Sequence, residues 1–241
     1  MINKIITADE AVAGVQDGMT IMVGGFLATG SPEVLMDALV RKGVKHLTVI
    51  GNDGGLDAGQ PAGEFAAKTA RGIGKLLENH MVDHIIASHL GVNPKLNEQF
   101  AEGTLKYTLV PQGTLAEKIR AAAYGLGGVL TPVGVGTPME TELDELGRKK
   151  DVMVIDGNKY LFEKPLHADY SFIRASVADR FGNYYCSKAT KNFNYVMAGA
   201  SEKTIIAPEK LVEIGEIDPD YFAVAGVIVD AIVEGEKPWQ I

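Results

Sequence analysis

The stretch MTIMVGGFLATGSPEVLMDAL, residues 19–39, passes from an apolar run through a glycine-lined turn into a helical pattern. Residues 20–23, TIMV, are typical of a short strand that is buried on both faces. Ser31 is a good N-cap residue, and Pro32 suits the first helical position because its missing N–H costs nothing there. Such a turn exposes backbone N–H groups at the positive end of a helix dipole, and glycine allows close approach of a ligand. The stretch therefore predicts a strand, a tight loop and a helix, with an anionic or carbonyl-bearing ligand at the loop.

The same alternation of short apolar runs and helical patterns recurs along the chain of 241 residues. Helical patterns cover residues 32–42, 61–79 and 115–124. This alternation indicates β-α units around a mainly parallel open sheet, and right-handed crossovers place helices on both of its faces. We therefore predict an α/β fold with three layers, α/β/α. The apolar runs that predict strands lie at residues 20–25, 46–51, 83–88, 106–110, 151–156, 170–176, 203–208 and 227–233.

The composition changes in the second half of the chain, where glycine and proline become frequent. Residues 151–166, DVMVIDGNKYLFEKPL, resemble two short strands joined by Asp156 and Gly157, and Asp-Gly is a strong hairpin signal. We expect a small antiparallel β element at about residues 127–168. It fits an appendage better than a linker, so residues 1–241 are expected to form a single domain.

Composition and charge exclude several classes of partner. The 46% hydrophobic content is enough for a substantial core, and the net charge of −8 comes without any basic run. Nucleic acid and anionic membranes are therefore poor candidate partners, and no uncharged stretch is long enough to span a bilayer. The one cysteine, Cys186, cannot form an internal disulfide. Together with the absence of a signal peptide, this predicts a cytoplasmic protein in which Cys186 is a small packed side chain.

Four loops share a design in which an apolar strand ends in small or amide residues. They lie at residues 24–30, 51–55, 111–120 and 132–137. In an open parallel sheet, the loops at the carboxyl ends of the strands meet in one crevice, which is the usual ligand site. Each loop alone is a weak signal, because glycine turns are more often structural than functional.

Three longer strings give the order of these loops a specific meaning. They are VPQGTLAEKIR at residues 110–120, GLGGVLTPVGVGT at 125–137 and KNFNYVMA at 191–198. Together with the other loops, they resemble the alpha subunit of two-chain bacterial family I coenzyme A transferases, almost from end to end. The resemblance is closest to the acetate or butyrate:acetoacetate type. It implies a seven-stranded α/β/α domain and an alpha–beta pair that often doubles into a heterotetramer.

The chemistry of this family requires a nucleophile that can hold an acyl group as an anhydride and CoA as a thioester. An enzyme carboxylate does both. The resemblance implies that a glutamate of the beta subunit, in a Ser-Glu-Asn-Gly type motif, does so in a ping-pong cycle. That motif is missing here, since the nearest string, LENH, places Glu78 before Asn79 and His80 at the end of a helix. We therefore expect a chain that is inactive alone, with CoA or acyl-CoA as a substrate and no tightly bound cofactor.

Gln112 is the candidate catalytic residue of this chain. It follows Pro111 at a predicted strand end, and the resemblance implies that its side-chain N–H stabilises the oxyanion; alternatively, Gln112 or Thr114 caps the following helix. Asn52 is a candidate contact of the substrate carboxylate, or else forms an ordinary Asx turn.

The resemblance also implies that the first glycine loop holds CoA or the acyl thioester. The candidate CoA- and substrate-binding residues are Gly24, Gly25, Phe26, Leu27, Ala28, Thr29, Gly30, Asn52, Gly134 and Gly136. The alternative function is a non-catalytic module that binds an acyl-CoA or a partner protein without transfer.

Two further patterns, a pair of histidines and a pair of glutamates, each have a structural interpretation as well as a functional one. His80 and His84 have the spacing of two metal ligands on one helix, but the helix is expected to end between them and no glutamate follows His80, so no metal site is predicted. Glu140 and Glu142 follow the last glycine loop. They either repel an acidic co-substrate, favouring one that carries an amine, or are solvated.

Overall fold

The computed structural model of the chain describes residues 3–58, 69–221 and 223–237. A nine-stranded sheet lies at the centre of these residues. Every pair along the sheet is parallel except one, in which the two-residue strand Tyr184–Tyr185 is antiparallel to the long strand Ala168–Asp179. The predicted mainly parallel sheet is confirmed. In sheet order, the strands are β1 (Ile5–Ile6), β12 (Ala231–Val233), β11 (Ser201–Val212), β9 (Ala168–Asp179), β2 (Thr20–Val23), β3 (Leu47–Ile50), β4 (Val82–Ala87) and β5 (Lys106–Leu109), with β10 (Tyr184–Tyr185) beside β9. The seven strands implied by the family resemblance are the longer ones, and the two-residue strands β1 and β10 extend them.

Helices cover both faces of this sheet, as predicted. Ile21 and Val23 enter one apolar layer and Met22 enters the other, because successive side chains of a strand point to opposite faces. The first layer is formed with α1 (Ala8–Val12), α2 (Glu33–Lys42), α3 (Ile73–Glu78) and α4 (Pro94–Ala101), and the second with α5 (Gln112–Ala123) and α6 (Asn192–Val196).

The helix bounds differ from the prediction in several places. Of the helix predicted at residues 61–79, only α3 is seen, and residues 61–68 lie outside the described part of the chain. Ser31 is not the N-cap of α2; Pro32 takes that position and makes no side-chain capping bond. The unpredicted helix α4 begins where the Asn93 side chain accepts a hydrogen bond from the backbone N–H of Leu96.

A second, three-stranded antiparallel sheet confirms the predicted small β element. Its order is β6 (Val129–Thr131), β8 (Asn158–Glu163) and β7 (Asp151–Ile155). The turn between β7 and β8 consists of Asp156 and Gly157, whose φ values of 50° and 79° are those of the two-residue hairpin turn that Asp-Gly favours. This sheet is attached to α5 through Lys118, whose Nζ lies 2.8 Å from Glu163 Oε2.

Candidate active site

Three of the four predicted loops meet at the carboxyl edge of the parallel sheet. They follow β2, β3 and β5, which end on the same side because the strands are parallel. The backbone N–H of Leu27 donates to Asp53 Oδ2 at 2.8 Å. Gln112 Nε2 donates to Asn52 Oδ1 at 2.6 Å. The structure therefore joins the candidate oxyanion donor, the candidate carboxylate contact and the first glycine loop.

The fourth loop, residues 132–137, does not follow a strand of this sheet. It comes after β6 of the antiparallel sheet, so the premise that placed it in the same crevice is wrong. A Cβ added to Gly134 would meet Leu161 of β8 and Met139, which lies in a short 3-10 helix between β6 and β7. A binding role of Gly134 and Gly136 stays a prediction.

The two carboxylates beside this loop differ from each other. Glu140 Oε2 accepts a hydrogen bond from the backbone N–H of Gly136 at 2.7 Å, and its Oε1 lies 3.8 Å from Lys159 Nζ. Glu140 is therefore engaged within the small β element. Glu142 is exposed, which fits the solvated alternative.

The tip of the first glycine loop is a tight turn with a strained backbone. Phe26 and Thr29 exchange two backbone hydrogen bonds, of 3.0 and 2.8 Å. Between them, Leu27 and Ala28 have φ values of 46° and 60°, a left-handed conformation that side-chain-bearing residues rarely adopt. Such strain is maintained only when the surroundings over-determine it, and it is concentrated at functional sites. Phe26 is exposed at the tip, whereas Ala28 is buried beneath it.

The glycines at the two ends of this loop leave space that is filled by the side chain of Asn194. A Cβ added to Gly24 would lie 1.9 Å from Asn194 Oδ1. Asn194 is fully buried, and its Nδ2 donates to the carbonyls of Gly30 and Thr190, both at 2.9 Å. Its Oδ1 accepts the backbone N–H of Arg174 at 3.0 Å. Asn194 therefore fixes the two ends of the loop against β9.

The N-terminus of α2 is also occupied from within the chain. Glu236 Oε2 accepts the backbone N–H of Val34 at 3.1 Å, and its Oε1 lies 3.0 Å from Arg174 Nη1. Burial raises the pKa of the Glu236 carboxyl, and the charge of Arg174 acts in the opposite direction. Glu236 therefore supplies an acceptor from within the chain at this N-terminus, where the helix dipole favours negative charge. The anionic or carbonyl-bearing ligand expected at the loop stays a prediction.

Little space remains between the first and second loops. A void of about 10 Å³ separates them, lined among others by Gly24, Ala28 and Asn52. A space of this size holds about one water molecule. A ligand larger than a water molecule therefore has access only to the outer surface of these loops, where the side chains of Phe26 and Gln112 are exposed.

The amide of Gln112 does not cap its own helix. Pro111 is the N-cap of α5 and makes no side-chain capping bond. The hydroxyl of Thr114 is buried, with no hydrogen-bond partner among the described residues. Both capping alternatives are therefore wrong, and the Gln112 side chain turns towards Asn52 instead.

Asn52 does not form an ordinary Asx turn. Its Nδ2 donates to Asp53 Oδ2 at 2.8 Å, and its Oδ1 also receives Ser88 Oγ at 3.0 Å. The Asx turn is made by Asp53, whose Oδ1 accepts the backbone N–H of Gly55 at 2.8 Å. Asn52 is 2% exposed, so the surface of this cluster is formed by Gln112.

The carboxylate that contacts Asn52 is not an available nucleophile. Both oxygens of Asp53 accept N–H donors and the residue is buried. Glu78 is the last residue of α3, which leads into the first residues of β4. It therefore lies towards the opposite edge of the sheet from Gln112.

Two other candidate groups have structural surroundings. His84 lies on β4 with its Nε2 2.9 Å from Thr108 Oγ1; burial and then the charge of Lys106 lower its pKa to about 4. His80 lies beyond the end of α3, and within the described residues no group of three His, Cys, Asp or Glu side chains could hold a metal ion. Cys186 is buried, as predicted, and burial raises the pKa of its thiol to about 12. The thiol is therefore a poor nucleophile at neutral pH.

Sequence reasoning assigned no role to four residues that build this site. They are Asp53, Arg174, Asn194 and Glu236. Arg174 gave a usable signal, because a charged residue inside an apolar strand run predicts a buried ion pair. Asn194 lies in one of the strings, and Asp53 in one of the loops, that carry the family resemblance, but neither pattern reveals their contacts.

Comparisons with known proteins show the family of this chain. Residues 5–235 match the family model described as coenzyme A transferase. The chain belongs to this family. It is 40% identical to the acetate CoA-transferase subunit alpha of Escherichia coli (strain K12) over 237 residues, 98% of this chain and 99% of that relative. It is 41% identical to the acetoacetyl-CoA:acetate/butyrate CoA transferase alpha subunit of Clostridium acetobutylicum over 234 residues, 97% of this chain and 99% of that relative.

These matches run the full length in both directions and place the chain with the alpha subunits of the coenzyme A transferase family. A solved acyl-CoA transferase from Escherichia coli O157:H7, described as a thioester complex with CoA, has the same fold with a TM-score of 0.76 and 24% identity. The match covers 97% of this chain and 47% of that one, so this chain spans about half the length of the solved transferase. Among the described residues, no helix combines the length and apolar character needed to cross a bilayer.

Proposed function

We propose that this chain is the alpha half of a short-chain acyl-CoA:carboxylate CoA-transferase that acts on acids of the acetate, butyrate and acetoacetate type. The observation that carries the proposal is the Gln112 amide, exposed at the carboxyl edge of the sheet and held by Asn52. The printed names of the full-length relatives support the substrate class. CoA and acyl-CoA are substrates in this proposal, and no resident cofactor takes part.

The proposed cycle requires a second chain. A glutamate carboxylate of the beta subunit attacks the acyl-CoA carbonyl carbon, and the oxyanion that forms accepts a hydrogen bond from Gln112 Nε2. The C–S bond then breaks, which leaves an acyl-glutamyl anhydride and the CoA thiolate. The thiolate attacks the glutamyl carbonyl, releases the first carboxylate and forms a glutamyl-CoA thioester. The second carboxylate reverses these steps and leaves as the new acyl-CoA.

Two features of the described residues support a partner at this surface. The void between the loops is too small for a substrate, so the reacting groups lie on an open surface that a second chain must enclose. Asp53, the carboxylate in contact with Asn52, is fully engaged. We propose an alpha–beta pair that doubles into an α2β2 heterotetramer in the cytoplasm.

The test is CoA exchange between acetoacetate or acetate and a short-chain acyl-CoA, measured for the chain alone, the beta subunit alone and the mixture. Activity only in the mixture, with borohydride trapping a thioester on the beta subunit, supports the proposal. Transfer by this chain alone would overturn the assignment of the nucleophile to a partner. Acyl-CoA binding without transfer in the mixture would establish the non-catalytic alternative. Analytical ultracentrifugation of the mixture tests the α2β2 stoichiometry.

The role of Gln112 has its own variant. Gln112→Ala removes the proposed oxyanion donor, and loss of one such donor typically lowers kcat by ~100- to 1000-fold. Gln16→Ala is the matched control, since Gln16 is also exposed but precedes β2 at the other edge of the sheet. Equal kcat values for the two variants would contradict the donor role.

A further inference from the structure

Asp53 contacts both halves of the candidate site while touching no solvent-facing surface. It is 3% exposed, and three N–H donors converge on its carboxylate, each at 2.8 Å. Two of them, the Leu27 backbone and the Asn52 side chain, share Oδ2, and the Gly55 backbone occupies Oδ1. The same carboxylate thus holds the strained turn of the glycine loop and the amide next to Gln112.

These contacts determine which end of the Asn52 amide faces Gln112. An ionised carboxylate only accepts hydrogen bonds, so it draws the N–H₂ end of Asn52 towards itself. The carbonyl end then faces away from Asp53, where Gln112 Nε2 and Ser88 Oγ donate to it. Because Asn52 Oδ1 is an acceptor, Gln112 must present nitrogen to it and not oxygen.

We propose that Asp53 is a positioning residue that, through Asn52, fixes the Gln112 amide with its N–H₂ group at the site of the oxyanion. The amide nitrogen carries two hydrogens, and the bond to Asn52 uses one of them. The second remains for the substrate. With the amide reversed, Gln112 Oε1 would take this place, and an oxygen beside a developing oxyanion raises the barrier instead of lowering it.

The inference rests on the proposed function, because it assigns a task to the oxyanion donor. It adds a residue that the substrate never touches, and it couples that donor to the glycine loop. Any change that removes the Asp53 carboxylate frees Asn52 to reverse and releases the Leu27 N–H at the same time.

The test compares Asp53→Ala with Asp179→Ala in the two-chain enzyme. Asp179 is a close structural match, since it is 2% exposed and accepts the backbone N–H groups of Phe181, Gly182 and Asn183 and the Asn183 side chain, at the far end of β9. We expect Asp53→Ala to lower kcat about 10- to 100-fold, the range for a lost hydrogen bond to a charged group. Asp179→Ala reports the loss that a purely structural aspartate causes. Equal losses in the two variants would overturn the inference.

A double-variant cycle with Gln112→Ala separates a positioning role from a general one. If Asp53 acts through Gln112, Asp53→Ala costs little further kcat once the amide is gone. The same fold-loss in both backgrounds would overturn the inference while leaving the proposed function intact. Should Asp53→Ala fail to fold, Asp53→Asn, which keeps the shape but only one acceptor oxygen, takes its place; wild-type kcat in that variant would equally overturn the inference.

A readout without turnover distinguishes failure of this inference from failure of the proposed function. The side-chain N–H₂ signals of Gln112 are assigned in the ¹⁵N-labelled chain by their loss in Gln112→Ala. We expect Asp53→Ala to shift both signals and to speed their exchange with solvent, and Asp179→Ala to leave them in place. Unchanged signals in Asp53→Ala would refute the relay even if Gln112 proved unnecessary for transfer.

Discussion

Lys118 is a fully buried cation on the helix that begins at Gln112, and its replacement by methionine tests how the small sheet is attached. Its Nζ lies 2.8 Å from Glu163 Oε2 and 3.0 Å from Glu145 Oε1, and both acids are 2% exposed at their side chains. Methionine retains most of the volume of lysine and removes the charge, so the two carboxylates lose their shared partner. The substitution therefore isolates the electrostatic contribution of the ammonium group.

The surroundings of the two acids determine the size of the effect. Glu163 keeps Lys150 at 3.0 Å. Among the described residues, the one cation left beside Glu145 is Arg148 at 4.0 Å, and Glu145 Oε1 makes no hydrogen bond there. Removing one partner of a buried ion pair costs about 3–5 kcal/mol when the remaining charge is left poorly compensated, as that of Glu145 would be. Since Glu163 retains a second partner, we expect the lower end, about 3 kcal/mol. Lys118→Met/Glu145→Met removes the orphaned acid as well and is expected to recover more than half of the loss.

The assay is urea unfolding, with the free energy extrapolated to water for the wild type, the single variant and the double variant. Burial raises the pKa of Glu163, but Lys118 and Lys150 lower it by more than burial raises it. The pKa of Glu163 therefore lies below its usual value. The ionised Glu163 carboxylate therefore stabilises the fold at pH values above its unfolded-state pKa. This stabilisation is lost as the pH falls through its folded-state pKa. Without Lys118 the pKa of Glu163 rises, and the cost of the substitution should shrink as the pH falls towards 4.5. A cost below about 1 kcal/mol at neutral pH, or a double variant no more stable than the single one, would refute the reasoning.

Two further predictions concern the sheet and the glycine loop. Gly24→Ala should lower the free energy of unfolding by about 1–3 kcal/mol, because the new Cβ overlaps Asn194 Oδ1. Gly127 has open space around it, so Gly127→Ala should change this free energy by no more than about 0.5 kcal/mol. Urea unfolding compares the two variants, and equal effects would contradict the close packing at Gly24. His84 has a folded-state pKa of about 4, below its unfolded value, so the protein should lose stability on the order of 2 kcal/mol as the pH falls from 6.5 to 4. His84→Gln should flatten that part of the stability curve, and an unchanged pH profile would show that this histidine is not held neutral.

The parallel sheet could be predicted because its signal is local. Each central strand is a run of apolar residues long enough to be buried on both faces, and β2, β3, β4 and β5 fall within one or two residues of the predicted runs. The assignment of residues 151–156 shows the limit of this signal. An apolar run predicts a strand but not its sheet, and β7 pairs with β8 in the small sheet because the Asp156-Gly157 turn returns the chain directly.

The site was predictable only in part, because its residues are brought together over long stretches of chain. Gln112 and Asn52 were each singled out, but their mutual hydrogen bond joins residues 60 positions apart. The carboxylate at the start of α2 comes from 202 positions away. A helix N-terminus predicts that some acceptor will be found, and only the tertiary fold determines whether a ligand or the chain supplies it.

The loop in the opening stretch is therefore best understood as a rigid support for a surface site. Its inner side is filled by Asn194, and the Leu27 N–H is held by Asp53, so a ligand has only the outer face to contact. A backbone fixed in this way loses little entropy when a substrate binds, which favours precise placement of the exposed Gln112 amide beside it. An exposed donor acts strongly only when water is excluded from it. The rigidity of this half of the site and its exposure thus both support the proposal that a second chain encloses it.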